Sequence, residues 1–596
     1  MRTKITVLSA AIVATLAVIT VDSTVASGHL PGFASGTASN VRVAASTSAG
    51  IAAGTSASSR LAAAHMSGDG LVAFSRSGAD ADRTPQADRA RALLAGPAAR
   101  QAHRADADTF VANDVIVDQD GTEHVRMQRT YAGLPVIGGD LVVHSRDGQI
   151  LGISQTLRSD ARPNLRAGIS GDAAITAAGA DFGTAFDGVS DATRVIYARG
   201  TAPTLAYQVV FNGIQADQTP TEMHYIVDAG NGRVLDKWDT VYTKGKPGGG
   251  GGTGGTGTNA TGTAKTLFSG NVPIVTNSAS GSFSMVDNSR GGNAVNDMNN
   301  RTSGSGTLFT DADNVWGDNT TGNRATVAGD AMYGVGKTWD YYQTVHGRNG
   351  IANDGRGALS KVHYGRNYVN AFWSDSTFSM SYGDGNGSSY YPLVNIDVAG
   401  HEMSHGVTSR SANLTYSGES GGLNEATSDI FGTMVEFYAN NANDTPDYLI
   451  GEEIYVSNPN GTKALRYMFK PNIDGSSPDC YSGSLGSLDV HYSSGVANHF
   501  FYLLAEGATV PAGFGSGTSY NLSPASLVCN GNTAAGGIGR DAAQKIWYRA
   551  LTVYMTSSTN YAGARTATLN AAADLYGDGS ANYNAVAAAW SAINVN

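Results

Sequence analysis

The sequence predicts an α+β protein, with a strand-rich front half followed by a helical half. Three observations predict it. Residues 108 to 243 carry runs with period-two alternation and turn dipeptides. A glycine- and threonine-rich stretch, "KGKPGGGGGTGGTGTNATGTAK" at 244 to 265, interrupts them. Beyond about residue 325 the apolar spacing changes to the three-and-four rhythm of helices.

A chain of 596 residues is too long for one hydrophobic core, so two or more domains are expected. Hydrophobic residues at 41% and charged residues at 15% suit globular folding, and 76 glycines imply many turns. The net charge of −11 and the absence of a basic run argue against a nucleic-acid partner. At the start, Arg2 and Lys4 precede an apolar run from Ile5 to about Val21, and Val25-Ala26-Ser27 offers small residues for cleavage. This reads as a secretory signal over 1–27, which makes the protein secreted and free of the membrane once the signal is removed. A membrane anchor is the weaker reading, because the run is short and lacks a basic flank after it. Export would place the two cysteines, Cys480 and Cys529, in an oxidising compartment. A disulfide between them is expected, with two buried thiols as the alternative.

Residues 28 to about 100 are rich in Ala, Ser, Gly and Arg and show little periodicity. "EHVRMQRTYAGLPVIGGDLVVHS", "TLAYQVVFNG" and "EMHYIVDAGNGRVLDKW" follow as strands and hairpins. His124, His144 and His224 fall on these strands and are read as doing no catalysis. The linker has nothing to bury and is an obvious place for a protease to nick the chain. Residues 266 to about 325 read as strands and turns. A helix is expected from Val327 to about Val345, with Met332, Val335, Trp339 and Tyr342 on one stripe. "LVNIDVAGHEMSHGVTS" continues as a second helix. In "GGLNEATSDIFGTMVEFYANN", a third, Leu423, Ile430, Phe431, Met434, Val435 and Tyr438 keep helical spacing after a Gly-Gly break. "SSGVANHFFYLLAEG" and "GRDAAQKIWYRALTVYM" extend the helical pattern toward the C-terminus.

The second helix contains "HEMSH", residues 401 to 405. Residues four apart lie on one helical face, so His401 and His405 can offer a ring nitrogen each to one zinc ion. Glu402 beside them is placed as a general base. The five-residue pattern alone is weakly specific, and two histidines on a helix surface would satisfy it. A catalytic zinc needs a third protein ligand. Glu425 in "LNEATSD" can supply it, and Asp429, one turn on, can accept the outer N–H of a zinc-bound histidine.

With "HEMSHGVTSRSANLTYSGESGGLNEATSD" the chain resembles the thermolysin family of zinc metallopeptidases (gluzincins). The resemblance implies a two-lobed catalytic domain with the zinc site on the helix between the lobes. It implies one catalytic zinc on His401, His405 and Glu425, with Glu402 as general base. Asp429 and Asn424 would orient the two histidines, and Tyr416 would help to hold the oxyanion. "DVHYSSGV" resembles the segment carrying a catalytic histidine, here His491, with Asp489 as its partner; that spacing matches the pseudolysin-like branch. "NAFWSDSTFSMSYGDG" resembles a substrate-binding edge strand, with Asn370 and Ala371 on the substrate backbone. "ALRYM" would place Arg466 on a substrate carbonyl, and Leu465, Val398 and Leu393 would line an apolar pocket just after the cut. One or more structural calcium ions are implied at Asp397, Glu436, Asp447 and Glu452, with the Leu449 carbonyl, and a further one at Asp311 and Asp313 in "TDADNVW".

The front half resembles the family's propeptide, a fungalysin/thermolysin-type (FTP) unit followed by a PepSY-type unit. The implied organisation is a signal over 1–27, a propeptide over 28–243, and a linker over 244–257 holding the maturation cut. A catalytic N-terminal lobe over 258–397 follows, then the zinc helix and helical lobe over 398–596. The expected function is a secreted, monomeric zinc endopeptidase made as a zymogen. It would act on protein or peptide substrates and prefer a bulky apolar residue just after the cut. Its own propeptide would serve as intramolecular inhibitor and chaperone. The competing reading is a non-catalytic secreted protein that keeps the fold.

Overall fold

In the computed structural model, which describes residues 71–183, 186–242, 256–535 and 537–596, the alternating front half builds one twisted sheet. The expected signal (1–27) and most of the linker (243–255) lie outside the described residues. The sheet path runs Val72–Ser77, Asp108–Asp118, Glu123–Tyr131, Leu134–Ile137, Thr193–Tyr197, Thr204–Ile214, Pro220–Asp228 and Val234–Asp239. Leu134–Ile137 pairs in parallel with Thr193–Tyr197, and that joint fuses the two halves of the sheet. The first half is covered by helix α1, Pro85–Ala95, through Ala87, Ala90, Leu93 and Leu94. Thr84 caps α1 by accepting from the Ala87 N–H, and Pro85 opens it. The second half is covered by α2, Gly171–Phe182, over Tyr207, Val209 and Phe211.

Two further sheets form the next lobe. One has the order Thr310–Asp311, Ser282–Ser284, Asn271–Ala279, Thr258–Lys265, Val315–Trp316. The other runs Ala371–Ser374, Ser379–Gly383, Leu359–Tyr364, Asn293–Asp297, Val286–Asp287. Its outer edge is extended by Val241–Tyr242, the last described residues before the linker, antiparallel to Trp373 and Ser374. Helix α3, Arg324–His346, buries the expected stripe of Met332, Val335, Trp339 and Tyr342.

Two buried helices follow, α4, Ile396–Ser409, and α5, Gly418–Ala439. They cross at Gly400 and Gly432, where a Cβ on Gly400 would sit 2.9 Å from the Gly432 Cα and one on Gly432 would sit 2.5 Å from the Asp397 carbonyl oxygen. Only glycines permit that approach, and it brings residues of α5 within reach of residues on α4. The C-terminal part packs α6 (Val490–Ser493), α7 (Gly495–Glu506), α8 (Arg540–Arg549), α9 (Tyr561–Tyr576) and α10 (Ala581–Ala592) around α5. Cys480 and Cys529 form a disulfide with Cα atoms 6.0 Å apart. Among the described residues no helix is long and apolar enough to cross a membrane.

The structure differs from the sequence reading in three places. The apparently patternless stretch before residue 100 contains the strand Val72–Ser77 and α1, whose buried face is half alanine and so carries little hydropathy contrast. The second helix starts at Ile396, not at Leu393. The Gly-Gly pair does not break the third helix, because α5 runs through Gly421 and Gly422.

The described residues, from 71 on, belong to one compact unit, and the front sheet grips the helical part at several polar points. Arg126 donates to the carbonyls of Met555 (2.7 Å) and Thr552 (3.0 Å). Arg549 holds Asp118 through both nitrogens at 2.9 and 2.6 Å. Asp140 accepts from the Ser557 N–H at 2.8 Å. Asp236 accepts from the Ser417 hydroxyl at 3.0 Å, and Arg199 donates to the Ser420 hydroxyl at 2.8 Å, both at the start of α5.

Candidate metal centre and active site

One turn of α4 presents His401 and His405, and α5 presents Glu425 across the glycine crossing. All three are buried or nearly so. The His401 and His405 Nε2 atoms lie 3.1 Å apart. Glu425 Oε2 is 3.6 Å from the first, and Oε1 is 3.3 Å from the second. Each outer ring nitrogen has an oxygen acceptor: His401 Nδ1 meets Asp429 Oδ1 at 2.8 Å, and His405 Nδ1 meets Asn424 Oδ1 at 2.9 Å. The Asn424 amide nitrogen donates to the Leu414 carbonyl, which fixes its oxygen toward the ring. Both imidazoles are therefore protonated on Nδ1, and both Nε2 lone pairs face Glu425. Two lone pairs and a carboxylate crowded together, with Glu425 Oε2 lacking any hydrogen-bond donor, make a site built for a cation. Two imidazoles and one carboxylate suit zinc with a position left open.

Asp429 is a shared anchor. It also takes two bonds from Arg466, at 2.7 and 2.6 Å, and one from Asn498 on α7 at 2.7 Å. Burial opposes its charge, but Arg466 and His401 overcome this and hold the carboxyl far below the usual range. Burial likewise opposes the charge of Glu425, and His491, His405 and His401 hold it well below the usual value. Glu402, one residue after His401, is pushed the other way by burial and then by the Glu425 charge. Its Oε2 is buried without a partner.

Tyr416 donates its hydroxyl to Glu425 Oε1 and lies 3.2 Å from His491 Nε2. His491 stands on α6, with Nδ1 at 2.7 Å from Asp489 Oδ1. Burial works against its charge, while Glu425 and then Asp489 raise its pKa. Asn370 and Ala371 lead into the edge strand Ala371–Ser374, and the Trp373 main chain hydrogen-bonds Glu402. Leu393 and Val398 are buried in the apolar cluster flanking α4, and Leu465 packs against it beside Arg466. The cleft holds one residue the sequence reading missed. Tyr242 is buried, stacked on the His405 ring at 4.8 Å and edge-on to Tyr416 at 5.1 Å. A Val-Tyr pair abutting a glycine-rich linker is the signal that could have marked it.

A second acidic group gathers Glu436, Asp444 and Glu452, all buried, with ligand atoms within 4.8 Å of one another. Both oxygens of Glu436 and of Asp444 lack partners. Burial comes first, then neighbouring carboxylates (Glu452 for Glu436, Asp397 for Asp444 and Glu452), and together they push all three carboxyls well above their ordinary values, as expected where a cation belongs. Asp397 and Asp447 border this group and are raised to about 7 and about 6 by burial. Asp397 already accepts from the Gly451 and Val398 N–H groups, and Asp447 from the Leu449 N–H. Leu449 is buried in a two-residue strand opposite Tyr467. Asp444 was missed because it sits in a loop with no periodicity. Asp311 and Asp313 lie apart on an exposed turn, where each caps backbone N–H groups.

The description "Thermolysin metallopeptidase, catalytic domain" matches residues 261–409, and "Thermolysin metallopeptidase, alpha-helical domain" matches 412–595. A thermolysin of Alicyclobacillus acidocaldarius subsp. acidocaldarius is 39% identical over 503 residues, covering 80% of this chain and 84% of that protein. The chain belongs to the thermolysin family of metallopeptidases. The family's "Fungalysin/Thermolysin Propeptide Motif" matches residues 108–157, within the front sheet. A transglutaminase-activating metalloprotease of Streptomyces mobaraensis is 49% identical over 492 residues, covering 82% of this chain. That match spans 61% of the relative's own length. Among solved structures, the precursor of protealysin, a metalloproteinase from Serratia proteamaculans, is 28% identical with a TM-score of 0.39, covering 51% of this chain and 87% of that one. The thermolysin-family boundary between the two matched domains, at 409 and 412, falls at the C-terminus of α4.

Proposed function

We propose that this thermolysin-family metallopeptidase is a secreted zinc endopeptidase, made as a zymogen and cut free within the linker. The observation that supports it most is the convergence of two Nδ1-protonated imidazoles and Glu425 on one point with Glu402 beside it. His401, His405 and Glu425 would hold the zinc, which supplies Lewis-acid chemistry to the scissile carbonyl and to water. Glu402 takes a proton from the attacking water and hands it to the leaving nitrogen, a task for which its raised proton affinity suits it. Tyr416 and His491 donate to the oxyanion as charge develops on it. Arg466, fixed by Asp429, binds a substrate carbonyl, and Asn370 and Ala371 carry the substrate backbone. Leu393, Val398 and Leu465 make an apolar pocket that favours a bulky apolar residue after the cut.

The propeptide acts on the same cleft. Val241–Tyr242 takes the place of a substrate strand on the edge Ala371–Ser374, and the Tyr242 ring covers His405. Glu436, Asp444 and Glu452 would hold structural calcium, with Asp397, Asp447 and the Leu449 carbonyl alongside. Asp311 and Asp313, neighbours on one turn, would hold a further calcium. The test is cleavage of casein by the processed protein with and without a zinc chelator. Chelator-sensitive cleavage, restored by zinc, is expected; a processed, folded, zinc-loaded protein that cuts nothing overturns the proposal.

A further inference from the structure

Tyr416 and His491 must be placed together, yet they come from segments 75 residues apart. The side-chain anchor of His491 cannot place it relative to the metal helix. Asp489 is two residues away on the same turn, and its side chain is 60% exposed. What fixes the position of α6 is the backbone surface beneath it, the first turns of α5.

That surface is Gly421 and Gly422. A Cβ on Gly421 would lie 2.4 Å from Val490 Cγ1 and 2.9 Å from the Tyr416 carbonyl carbon. A Cβ on Gly422 would lie 2.5 Å from Ser493 Oγ and 3.2 Å from the Ser493 carbonyl carbon. Neither glycine has a positive φ, so backbone conformation does not require them. Both sit inside a helix, where glycine is a poor choice. Space is the remaining reason. The buried Tyr561 also holds this turn, donating its hydroxyl to the Ser493 carbonyl at 2.6 Å. Its own N–H is held by Glu419 Oε2 at 2.9 Å, and Glu419 Oε1 accepts from Tyr481, the neighbour of Cys480, at 3.1 Å. The His491 turn is thus held by close contact with the two glycines and by the Tyr561 hydroxyl.

We infer that Gly421 and Gly422 are positioning residues, which set the distance of the two oxyanion donors, Tyr416 and His491, from Glu425. This rests on the peptidase reading above. A methyl group at either position lifts α6, and at Gly421 it also shifts the Tyr416 backbone. Substrate binding by the edge strand and zinc binding by α4 and Glu425 are left in place.

The experiment measures kcat, KM and bound zinc in processed Gly421→Ala, Gly422→Ala, Gly422→Ala/Ser493→Ala and His491→Ala enzymes. A misplacement of about 1 Å costs on the order of 100-fold in rate, so kcat should fall by about that factor in each glycine variant. KM should change less than about threefold and zinc should stay at the wild-type content, a split that general destabilisation would not give. Removing Ser493 Oγ takes away the closest clash, so the double variant should recover at least about tenfold over Gly422→Ala. Wild-type kcat in the glycine variants, or a double variant no faster than Gly422→Ala, overturns the inference. Should Gly421→Ala fail to fold, the Gly422 pair alone carries the test. If His491→Ala keeps wild-type kcat, the peptidase mechanism fails instead, and the two failures are told apart.

Discussion

At the scale of single residues, adjacent carboxylates in this site have opposite proton affinities, set by their neighbours. Glu425 is buried but faces three imidazoles and stays charged; Glu402 is buried facing Glu425 and has a high proton affinity. That division fits one carboxylate as a ligand and the other as a proton carrier. Replacing Glu402 by Gln keeps shape and leaves the histidines and Glu425 untouched. We expect Glu402→Gln to bind zinc as wild type does and to lose about 10³-fold or more of kcat, since proton transfer fails in both directions. The same variant should accumulate with its linker uncut if maturation is self-catalysed. Zinc analysis, peptide hydrolysis and the mass of the purified product read all three, and activity above a few per cent would sink the general-base role. These residues were legible in the sequence because their chemistry depends on short spacings: four residues for two ligands, one for the base, four from Glu425 to Asp429. Tyr242 was not legible, because its role arises from strand pairing with a segment more than 100 residues away.

At the scale of elements, α5 carries one functional group after another along its length. Gly421 and Gly422 seat the catalytic turn, Asn424, Glu425 and Asp429 face α4, and Glu436 ends the helix in the acidic group with Asp444 and Glu452. The helix itself was readable from its apolar spacing. Its start was misread, because a Gly-Gly pair normally weakens a helix and the compensating contact with α6 cannot be seen locally. The acidic group was only partly readable, because Asp444 lies on a loop and its place depends on how that loop returns to α5. Three carboxylates buried within 4.8 Å of one another are costly to charge together, so the end of α5 should be held together by calcium. The unfolding midpoint of the zinc-loaded protein should rise with added calcium. Saturation at 100 times Kd corresponds to about 2.7 kcal/mol of stabilisation. Asp444→Asn should reduce the calcium-dependent rise and, at zero calcium, should be no less stable than wild type, because it removes one repelling charge. A midpoint indifferent to calcium in the zinc-loaded wild type would refute a cation at this position.

At the scale of the whole molecule, the propeptide motif meets the helical part through a buried polar network that includes two histidines facing each other. His124 and His144 are directly opposite in neighbouring strands, with their Nδ1 atoms 2.7 Å apart, so one ring must accept and be neutral. His124 Nε2 is 3.1 Å from Asp118, which Arg549 of α8 clamps, and Arg549 is itself shared with Asp574 of α9. His144 Nε2 bonds Ser154 at 2.9 Å, and the Tyr554 ring lies 5.0 Å from the His144 ring. Burial, then His124, Arg549 and Arg126, hold the His144 pKa well below its ordinary 6.5, with Asp118 opposing them. Asp118, held down to about 2 chiefly by His124 and Arg549 against its burial, stays charged through the relevant range. A histidine with a depressed folded pKa stabilises the fold fully above its unfolded value. That contribution is lost as pH falls from 6.5 toward the folded value, because the unfolded chain then binds the extra proton. The grip of the propeptide on the catalytic part should therefore weaken on mild acidification. In the uncut Glu402→Gln zymogen the unfolding midpoint should drop between pH 7.5 and 5.5. His144→Asn keeps a hydrogen-bonding side chain but cannot titrate, so the drop should be smaller in the Glu402→Gln/His144→Asn zymogen. Equal slopes in the two proteins would show that the acid sensitivity of the zymogen lies elsewhere.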